Sequence, residues 1–262
     1  MRLLVSVANA ADASAALAGG ADVIDAKNPL AGALGAVSVD ALREIHATVA
    51  GARLVTAAIG DAADETEIER TAGRLAAAGA ALVKVGFAGI TSPSRIEGLI
   101  AAALRGVRAH EWSPIRLKPD PTCEPAPTAA PDPTVVGFKG VIAVAYADAD
   151  PIAAFVDVAA RAGATGVLLD TADKSGPGLC ELMTPTAVAR WVAEAHEAGL
   201  LVALAGKLTA EDLAFVQDAG ADIAGVRGAA CEGGRAGRVS SERVALLRTL
   251  CGPDEVGHHV RR

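Results

Sequence analysis

The chain has 262 residues, of which 52% are hydrophobic and only 3% aromatic, and its formal net charge is −7. This length suffices for one large α/β domain, and a core of small branched side chains is typical of parallel sheets covered by helices. The negative charge argues against a nucleic-acid partner, because no basic stripe offsets repulsion by phosphates.

Membrane and export signals are absent from the sequence pattern. No apolar run reaches the roughly 18 residues that a membrane-spanning helix needs. The chain starts directly on a strand-like segment, Arg2 to Val7, without the basic and apolar regions of a signal peptide. The four cysteines have no CxxC or metal-ligand spacing, so reduced thiols are expected. We therefore expect a cytoplasmic protein without a membrane partner.

Strand-like and helix-like runs alternate along the chain. The predicted strands are Leu3 to Val7, Val23 to Ala26, Leu54 to Ile59, Leu82 to Val85, Val141 to Ala145, Val167 to Leu169, Leu201 to Ala205 and Ile223 to Val226. The clearest amphipathic helices are Asp64 to Ala78, Pro151 to Ala162, Thr186 to Ala198 and Ala210 to Ala219. Glycines such as Gly163 and Gly220 follow these helices and are expected to end them.

Eight such β/α units in about 250 residues predict a closed (β/α)₈ TIM barrel. A doubly wound open sheet is the alternative. It predicts a glycine-rich dinucleotide loop after the first strand, where this chain has Ala-Asn-Ala-Ala-Asp. The barrel is therefore favoured, as a single domain over residues 1–262.

A proline-rich segment, residues 112–134, interrupts the alternation before the fifth strand. Seven prolines between Pro114 and Pro133 exclude regular helix or sheet there. In a barrel this connection lies on the face opposite the active site, so we interpret it as an insertion within the domain.

Two lysines give the clearest chemical signal. Lys27, two residues after Asp25, and Lys84 each stand at the end of a short apolar strand. Burying an ammonium group costs several kcal/mol unless it is paired, and burial favours the neutral amine, which is a nucleophile or a base. This pattern predicts amine catalysis on a carbonyl substrate.

In a barrel, the catalytic groups project from the carboxyl ends of the strands. The ionisable residues and the one threonine that fall at those ends are Asp25, Lys27, Asp61, Lys84, Asp148, Asp150, Asp170, Thr171, Asp173, Lys174, Lys207 and Arg227. The strand starts are mostly neutral, and this asymmetry indicates an active site at the carboxyl ends. Structural charge pairs are the alternative explanation for part of this set.

The last two strands end in segments suited to an anion. Gly206-Lys207 and Arg227-Gly228 place small residues and backbone N–H groups where barrels commonly hold a phosphate. Arg235 and Arg238 follow shortly afterwards and add positive charge. These segments predict a phosphorylated small-molecule substrate.

The predicted chemistry begins with attack of a neutral lysine on an aldehyde or ketone to form an iminium ion. A second base then removes the neighbouring proton to give an enamine, and nearby carboxylates move protons. The spacing does not decide which lysine is the nucleophile. Tyr146 is predicted either to donate to a substrate oxygen or simply to pack, and no metal or other cofactor is expected.

These segments resemble one known family. The matching stretches are Val-Ile-Asp25-Ala-Lys27-Asn-Pro with Gly32-Ala-Leu-Gly35, Val-Lys84-Val-Gly86, Ala-Tyr146-Ala-Asp148, Leu-Asp170-Thr-Ala and Gly225-Val-Arg227-Gly228-Ala-Ala-Cys231. Together they are similar to the (5-formylfuran-3-yl)methyl phosphate synthases of methanofuran biosynthesis. The similarity runs from the first strand to the last, interrupted chiefly by the proline-rich segment.

The resemblance implies a lyase that condenses two molecules of glyceraldehyde 3-phosphate, with loss of phosphate and water. It implies that Lys27 forms the Schiff base and that Lys84 accepts the proton. The acidic positions Asp25, Asp148 and Asp170, together with Lys174, complete the implied catalytic set. Cations near the phosphates are then expected among Lys174, Lys207, Arg227 and Arg235, and the protein is expected to be a homo-oligomer.

Two other functions remain open from the sequence. One is a different Schiff-base aldolase that acts on sugar phosphates. The other is a non-catalytic barrel that binds a phosphorylated metabolite.

Overall fold

The computed structural model of the protein describes residues 1–61, 64–109, 139–149 and 154–252. The strands of its main sheet are β1 (Arg2–Val7), β2 (Val23–Ala26), β3 (Leu54–Asp61), β4 (Leu82–Gly86), β5 (Gly140–Tyr146), β6 (Gly166–Asp170), β7 (Leu201–Leu204) and β8 (Ile223–Val226). Its helices are α1 (Ala10–Ala18), α2 (Val39–Val49), α3 (Glu65–Ala77), α4 (Pro93–Arg108), α5 (Phe155–Arg161), α6 (Leu179–Leu182), α7 (Pro185–Glu197), α8 (Asp212–Asp218) and α9 (Ser241–Leu250).

The main sheet is a closed barrel of eight parallel strands in chain order. Each strand pairs with the next, and β8 closes the ring by pairing with β1, with Val226 opposite Val5. The predicted TIM barrel is confirmed, and the open-sheet alternative is wrong because an open sheet would leave two unpaired edges.

The predicted strands lie within one or two residues of the observed ones. The largest difference is β3, which continues to Asp61, two residues past the predicted end. The register between β3 and β4 shifts between Ala58 and Gly60. Such an irregularity lets a strand bend and continue pairing, which an alternation pattern does not reveal.

Three of the four helices predicted with bounds begin and end within two residues of the observed ones. Asp64 accepts a hydrogen bond from the N–H of Glu67 and caps α3, and Thr184 caps α7 through Ala187. Gly163 and Gly220 follow α5 and α8 with φ values of +81° and +80°, a conformation that favours glycine. The predicted helix Pro151 to Ala162 begins at Phe155 in the structure, and residues 150–153 lie outside the described part.

Alternating strand residues divide the core into two clusters. The larger cluster fills the space between the barrel and its helices and includes Leu3, Val5 and Ile24. The smaller cluster lies inside the barrel and includes Leu4, Leu82, Ile142, Leu168 and Ile223. Nearer the carboxyl ends, these inward positions become polar, so the apolar cluster forms the floor beneath the polar groups.

Two short elements were not predicted from the sequence. The turn of helix α6 follows β6, and a small hairpin pairs β9 (Cys231–Glu232) with β10 (Arg238–Val239) after β8. The proline-rich segment, residues 112–134, lies outside the described residues. Within the described part of the chain, no helix combines the length and the apolar character that a membrane span requires.

Candidate active site

A cavity of about 570 Å³ opens at the carboxyl ends of the strands. Eight of the ten predicted site residues line it: Lys27, Lys84, Asp170, Lys174, Gly206, Lys207, Arg227 and Gly228. The other two, Asp25 and Asp148, contact groups that line the cavity or the loops around it. The fold thus brings residues from β2, β4, β6, β7 and β8 to one place.

Asp25 lies at the centre of a polar layer beneath the cavity. In the strand register it stands opposite Ser6 on β1 and Thr56 on β3. The hydroxyl of Ser6 donates to Oδ2 at 3.0 Å, and that of Thr56 donates to Oδ1 at 2.7 Å. Each carboxylate oxygen therefore receives a hydroxyl donor, which fixes the carboxylate and keeps it anionic.

Lys84 is paired with this carboxylate. Its Nζ lies 2.5 Å from Asp25 Oδ2, and both side chains are almost completely buried. Such a pair is costly to desolvate, so its retention inside a barrel is a sign of function.

Lys27 and Lys174 share a second carboxylate, Asp170, at the end of β6. Lys174 donates to Asp170 Oδ1 at 2.6 Å and to the Thr171 hydroxyl at 3.1 Å. Lys27 Nζ lies 3.5 Å from Asp170 Oδ2. Among the described residues, this buried Oδ2 accepts no hydrogen bond. It can therefore accept a proton or a hydrogen bond from a molecule in the cavity.

The electrostatics make the buried amines easier to deprotonate and keep the carboxylates charged. Burial lowers the pKa of Lys84, and the charge of Lys27 lowers it further, against the opposing effect of Asp25. Burial likewise lowers the pKa of Lys174. Burial alone would raise the pKa values of Asp25 and Asp170, but the nearby lysine charges outweigh it and lower both. The site thus keeps anionic carboxylates beside ammonium groups that release protons more readily than usual.

Asp148, predicted as catalytic, holds the loop that follows β6. Its two carboxylate oxygens accept hydrogen bonds from the N–H groups of Ala172 and Asp173, each at 2.7 Å. That loop carries Lys174, so Asp148 acts on the site through the loop. A direct catalytic contact of Asp148 stays a prediction.

Tyr146 and Asp61 border the site on the side of β3 and β5. The Tyr146 hydroxyl donates to Asp61 Oδ1 at 2.8 Å, and burial, together with the Asp61 charge, raises the pKa of Tyr146. Gly86 lies directly against them, since a Cβ there would fall 2.2 Å from Asp61 Oδ1. Asp150, also predicted near this rim, lies outside the described residues.

The loops after β7 and β8 form a cradle of backbone groups. Among the described loops and turns, no carbonyl accepts a hydrogen bond from the N–H groups of Gly206, Lys207, Gly228 or Ala229. Gly206 has φ +105°, and a Cβ there would approach Thr171 and Leu179 at 3.1 Å. Lys207 also adopts a positive φ, and its Nζ donates to the Gly176 carbonyl. Unpaired N–H groups beside a lysine suit an anion.

Arg227, predicted to bind phosphate, is held by the protein itself. Its guanidinium donates to Asp12 at 2.7 Å and to the carbonyls of Ser6, Gly237 and Arg235 at 2.9, 2.8 and 3.1 Å. All three nitrogens are thus engaged, and Asp12 balances the charge. These contacts fix the loop that carries Gly228, and a direct phosphate contact of Arg227 stays a prediction.

Sequence reasoning missed three residues that support the site. Ser6 and Thr56 bind Asp25 through their hydroxyl groups. The sequence feature that could have indicated them is a hydroxyl side chain at an inward-facing position of an otherwise apolar strand. Asp12 binds Arg227 from 215 positions away in the sequence, for which no local signal exists. Among the described residues, no three His, Cys, Asp or Glu side chains are grouped in a way that could hold a metal ion.

Comparison with known proteins identifies a family. Residues 3–116 and 129–248 match the family model described as 4-HFC-P synthase. The (5-formylfuran-3-yl)methyl phosphate synthase of Methanopyrus kandleri is 37% identical over 95% of this chain and 97% of its own length. The enzyme of the same name from Methanocaldococcus jannaschii is 34% identical over 96% of this chain and 100% of its own length.

Solved structures share the fold at low sequence identity. Deoxyribose phosphate aldolase from Aeropyrum pernix is 15% identical, with a TM-score of 0.62 over 96% of this chain and 90% of that one. Phosphoribosyl anthranilate isomerase from Thermus thermophilus is 16% identical, with a TM-score of 0.60 over 95% and 98%. At such identities the likeness supports the barrel and nothing finer.

Proposed function

We propose that this chain, which belongs to the 4-HFC-P synthase family, condenses two molecules of glyceraldehyde 3-phosphate to (5-formylfuran-3-yl)methyl phosphate through a Schiff base. The observation that carries the proposal is the cluster of two buried lysines, Lys27 and Lys84, and the half-buried Lys174 on two carboxylates inside one cavity. The names of the relatives supply the product, and the lysine cluster supplies a mechanism that needs no cofactor.

Lys27 is the proposed nucleophile. It lines the cavity and is held by one ion pair at 3.5 Å, whereas Lys84 is bound to Asp25 at 2.5 Å. The less tightly held amine is freer to attack the aldehyde carbon of the first triose. The resulting carbinolamine then loses water, and Asp170 Oδ2, which faces Lys27 and accepts no hydrogen bond from the described residues, is the proposed proton carrier for this step.

Lys84 is the proposed base. Its pKa is lowered, chiefly by burial, so it gives up its proton more readily than an exposed lysine. It removes the proton from C2 of the imine, and that electron pair forms the enamine double bond. Return of the nitrogen lone pair then moves the double bond to C2 and C3 and expels the phosphate from C3.

The remaining steps join two three-carbon units. The second triose is isomerised to its ketone, dihydroxyacetone phosphate, by transfer of a proton from C2 to C1 through an enediol. The enol carbon C3 of the first triose attacks the C2 carbonyl of this ketone. Closure of the ketone's C1 hydroxyl onto C2 of the first triose, with loss of two waters, gives the furan. In total, two trioses give one furan phosphate, one inorganic phosphate and two waters, without any change in overall oxidation state. Lys174 and Asp170 are the proposed proton carriers for the dehydrations, and water regenerates the Lys27 amine.

The cradle formed by Gly206, Lys207 and Gly228 is the proposed site for a triose phosphate. Its N–H groups lack carbonyl partners in the described loops, and Lys207 supplies a cation. Arg227 and Asp148 are assigned positioning roles, because each binds a loop that carries site residues.

The proposal is tested with glyceraldehyde 3-phosphate as the sole substrate. We expect an aldehyde with strong ultraviolet absorption and one phosphate released for each furan formed, identified by mass spectrometry. An unconjugated aldol product would instead indicate a different Schiff-base aldolase. Binding of the triose without turnover would indicate a non-catalytic barrel.

Thr56→Val should shift the pH dependence of the reaction. Without the Thr56 hydroxyl, the Asp25 carboxylate attracts the Lys84 proton more strongly, so the pKa of Lys84 rises. The acid limb of kcat/KM should move up by about one pH unit, with a loss of about tenfold at neutral pH. Thr56→Ser keeps the hydroxyl and should stay within about twofold of wild type. Equal pH profiles for the valine and serine variants would contradict a role for this hydrogen bond.

A further inference from the structure

The cavity carries more positive charge than its carboxylates balance. Its cationic lining residues are Lys27, Lys84, Lys174, Lys207, Arg227, Arg235 and Arg243. These seven groups form salt bridges with only three carboxylates of the described chain, those of Asp12, Asp25 and Asp170. An excess of four formal positive charges thus surrounds the cavity, in a protein whose net charge is −7.

This excess matches the charge of two phosphate monoesters. Each phosphate carries about −1.5 to −2 at neutral pH, so two of them bring roughly −3 to −4. One phosphate has the backbone cradle and Lys207. The second needs a separate cation, because two dianions in one cradle would repel each other strongly.

Arg235 stands in a suitable place for the second phosphate. It lies in the turn between β9 and β10, and its side chain extends to the loop that follows Lys27. There Nη2 donates to the Gly32 carbonyl at 2.7 Å, and Nε donates to the Pro29 carbonyl at 3.3 Å. These two bonds orient the guanidinium, and its Nη1 makes no hydrogen bond within the described residues.

Arg235 differs from Arg227 in its partners. Arg227 is neutralised by Asp12, whereas Arg235 forms no salt bridge with any described carboxylate and binds carbonyls only. The Arg235 carbonyl in turn accepts from Arg227 Nε at 3.1 Å, which anchors the turn to the rim of the barrel. The charge of Arg235 is also felt by Lys174, whose pKa is lowered mainly by burial and additionally by Lys27 and Arg235. Its guanidinium is thus within electrostatic range of the lysine cluster.

We infer that Arg235 binds the phosphate of the second triose, the one not attached to Lys27, and so forms a second phosphate subsite between the β9–β10 turn and the loop after β2. This inference rests on the proposed condensation of two trioses. It separates the two phosphates: the cradle after β7 and β8 holds the triose bound to Lys27, and Arg235 holds its partner.

The test separates binding of the first triose from binding of the second. Arg235→Gln removes the charge, Arg235→Lys keeps it, and Arg70→Gln on the exposed surface of α3 is the matched control. Borohydride trapping of the Lys27 adduct, followed over glyceraldehyde 3-phosphate concentration, reports the first triose. Furan formation over the same concentrations reports both.

Arg235→Gln should leave the half-saturating concentration for adduct trapping within about threefold of wild type. The half-saturating concentration for furan formation should rise about 10- to 100-fold, since a charge-assisted hydrogen bond is lost. Arg235→Lys should recover part of that loss, and Arg70→Gln should match wild type. A parallel shift of both concentrations in Arg235→Gln, or a shift of neither, would overturn the inference.

Unphosphorylated dihydroxyacetone gives a second readout that a merely structural role of Arg235 would not change. Mixed with glyceraldehyde 3-phosphate, it can enter as the second triose and yield a furan without phosphate, which mass spectrometry distinguishes. The wild-type protein should prefer the phosphorylated partner over the unphosphorylated one. Arg235→Gln should lower this preference about 10- to 100-fold, the same factor as the expected rise in the half-saturating concentration for furan formation. An unchanged preference would overturn the inference, whereas absence of any furan with the wild-type protein would refute the proposed function instead.

Discussion

Lys27→Arg is expected to abolish furan formation, with a fall in kcat/KM on the order of 10⁴-fold or more. A guanidinium stays protonated at every working pH and cannot form an imine with the triose. The fold should survive, because arginine retains the positive charge that faces Asp170 and the cavity has room for the longer side chain. Ultraviolet detection of the furan, combined with borohydride reduction and peptide mass mapping, measures both effects.

Lys84→Arg is the matched control for this result. It keeps a cation beside Asp25 but removes the base, so turnover should fall while residue 27 still forms a reducible adduct. Trapping of an adduct on residue 84 of the wild-type protein, with none on residue 27, would reverse the two assignments. Normal turnover by Lys27→Arg would end the Schiff-base proposal.

Asp170→Asn is expected to lower both stability and activity. The Asp170 carboxylate faces Lys27 and Lys174, and the three side chains are at most 13% exposed. Removing one member of a buried ion pair typically costs about 3–5 kcal/mol, because the other charges are left uncompensated. Urea denaturation near neutral pH should therefore show a lower free energy of unfolding. The exposed Asp40→Asn, which breaks the surface pair with Arg43, should show no measurable change.

The pH dependence of the stability lost in Asp170→Asn follows from the pKa shifts. The lysine charges hold the pKa of Asp170 below its ordinary value of 3.8, so the carboxylate stabilises the fold above that pH and loses the effect as pH falls through its folded pKa. In Asp170→Asn, Lys174, whose pKa is already lowered by burial, loses its carboxylate partner, so the variant gains stability when this lysine releases its proton. The stability gap between wild type and variant should thus narrow as pH rises from 6 towards about 9. A gap that is constant over this range would show that the lysine charges do not cause the destabilisation.

The barrel and the placement of its two buried lysines could be predicted because each rests on a local signal. Buried parallel strands are continuous apolar runs, and a TIM barrel gathers their carboxyl ends at one rim. Lys27, Lys84 and Asp170 therefore had to lie near one another once the strands were placed. The structure adds which carboxylate each lysine binds, and this depends on side-chain directions that spacing does not contain.

The supporting contacts could not be predicted because they depend on register and on distant partners. Thr56 and Ser6 meet Asp25 only because three neighbouring strands pair in one particular alignment. Arg227 stands beside a glycine, as phosphate-binding residues often do, and only the tertiary structure shows it bound to Asp12. The β9–β10 hairpin, with two residues in each strand, is too short for any periodic pattern.

The contact between Lys27 and Asp170 joins opposite walls of the molecule. Strands β2 and β6 are four places apart in a ring of eight, yet Nζ and Oδ2 are separated by only 3.5 Å. Flattening the ring in any direction alters this separation, and attraction between charges in a dry interior varies steeply with distance. The attraction between Lys27 and Asp170 is therefore sensitive to the shape of the whole barrel. Helices that pack around the barrel can in this way affect this ion pair through the shape that they impose on the ring of strands.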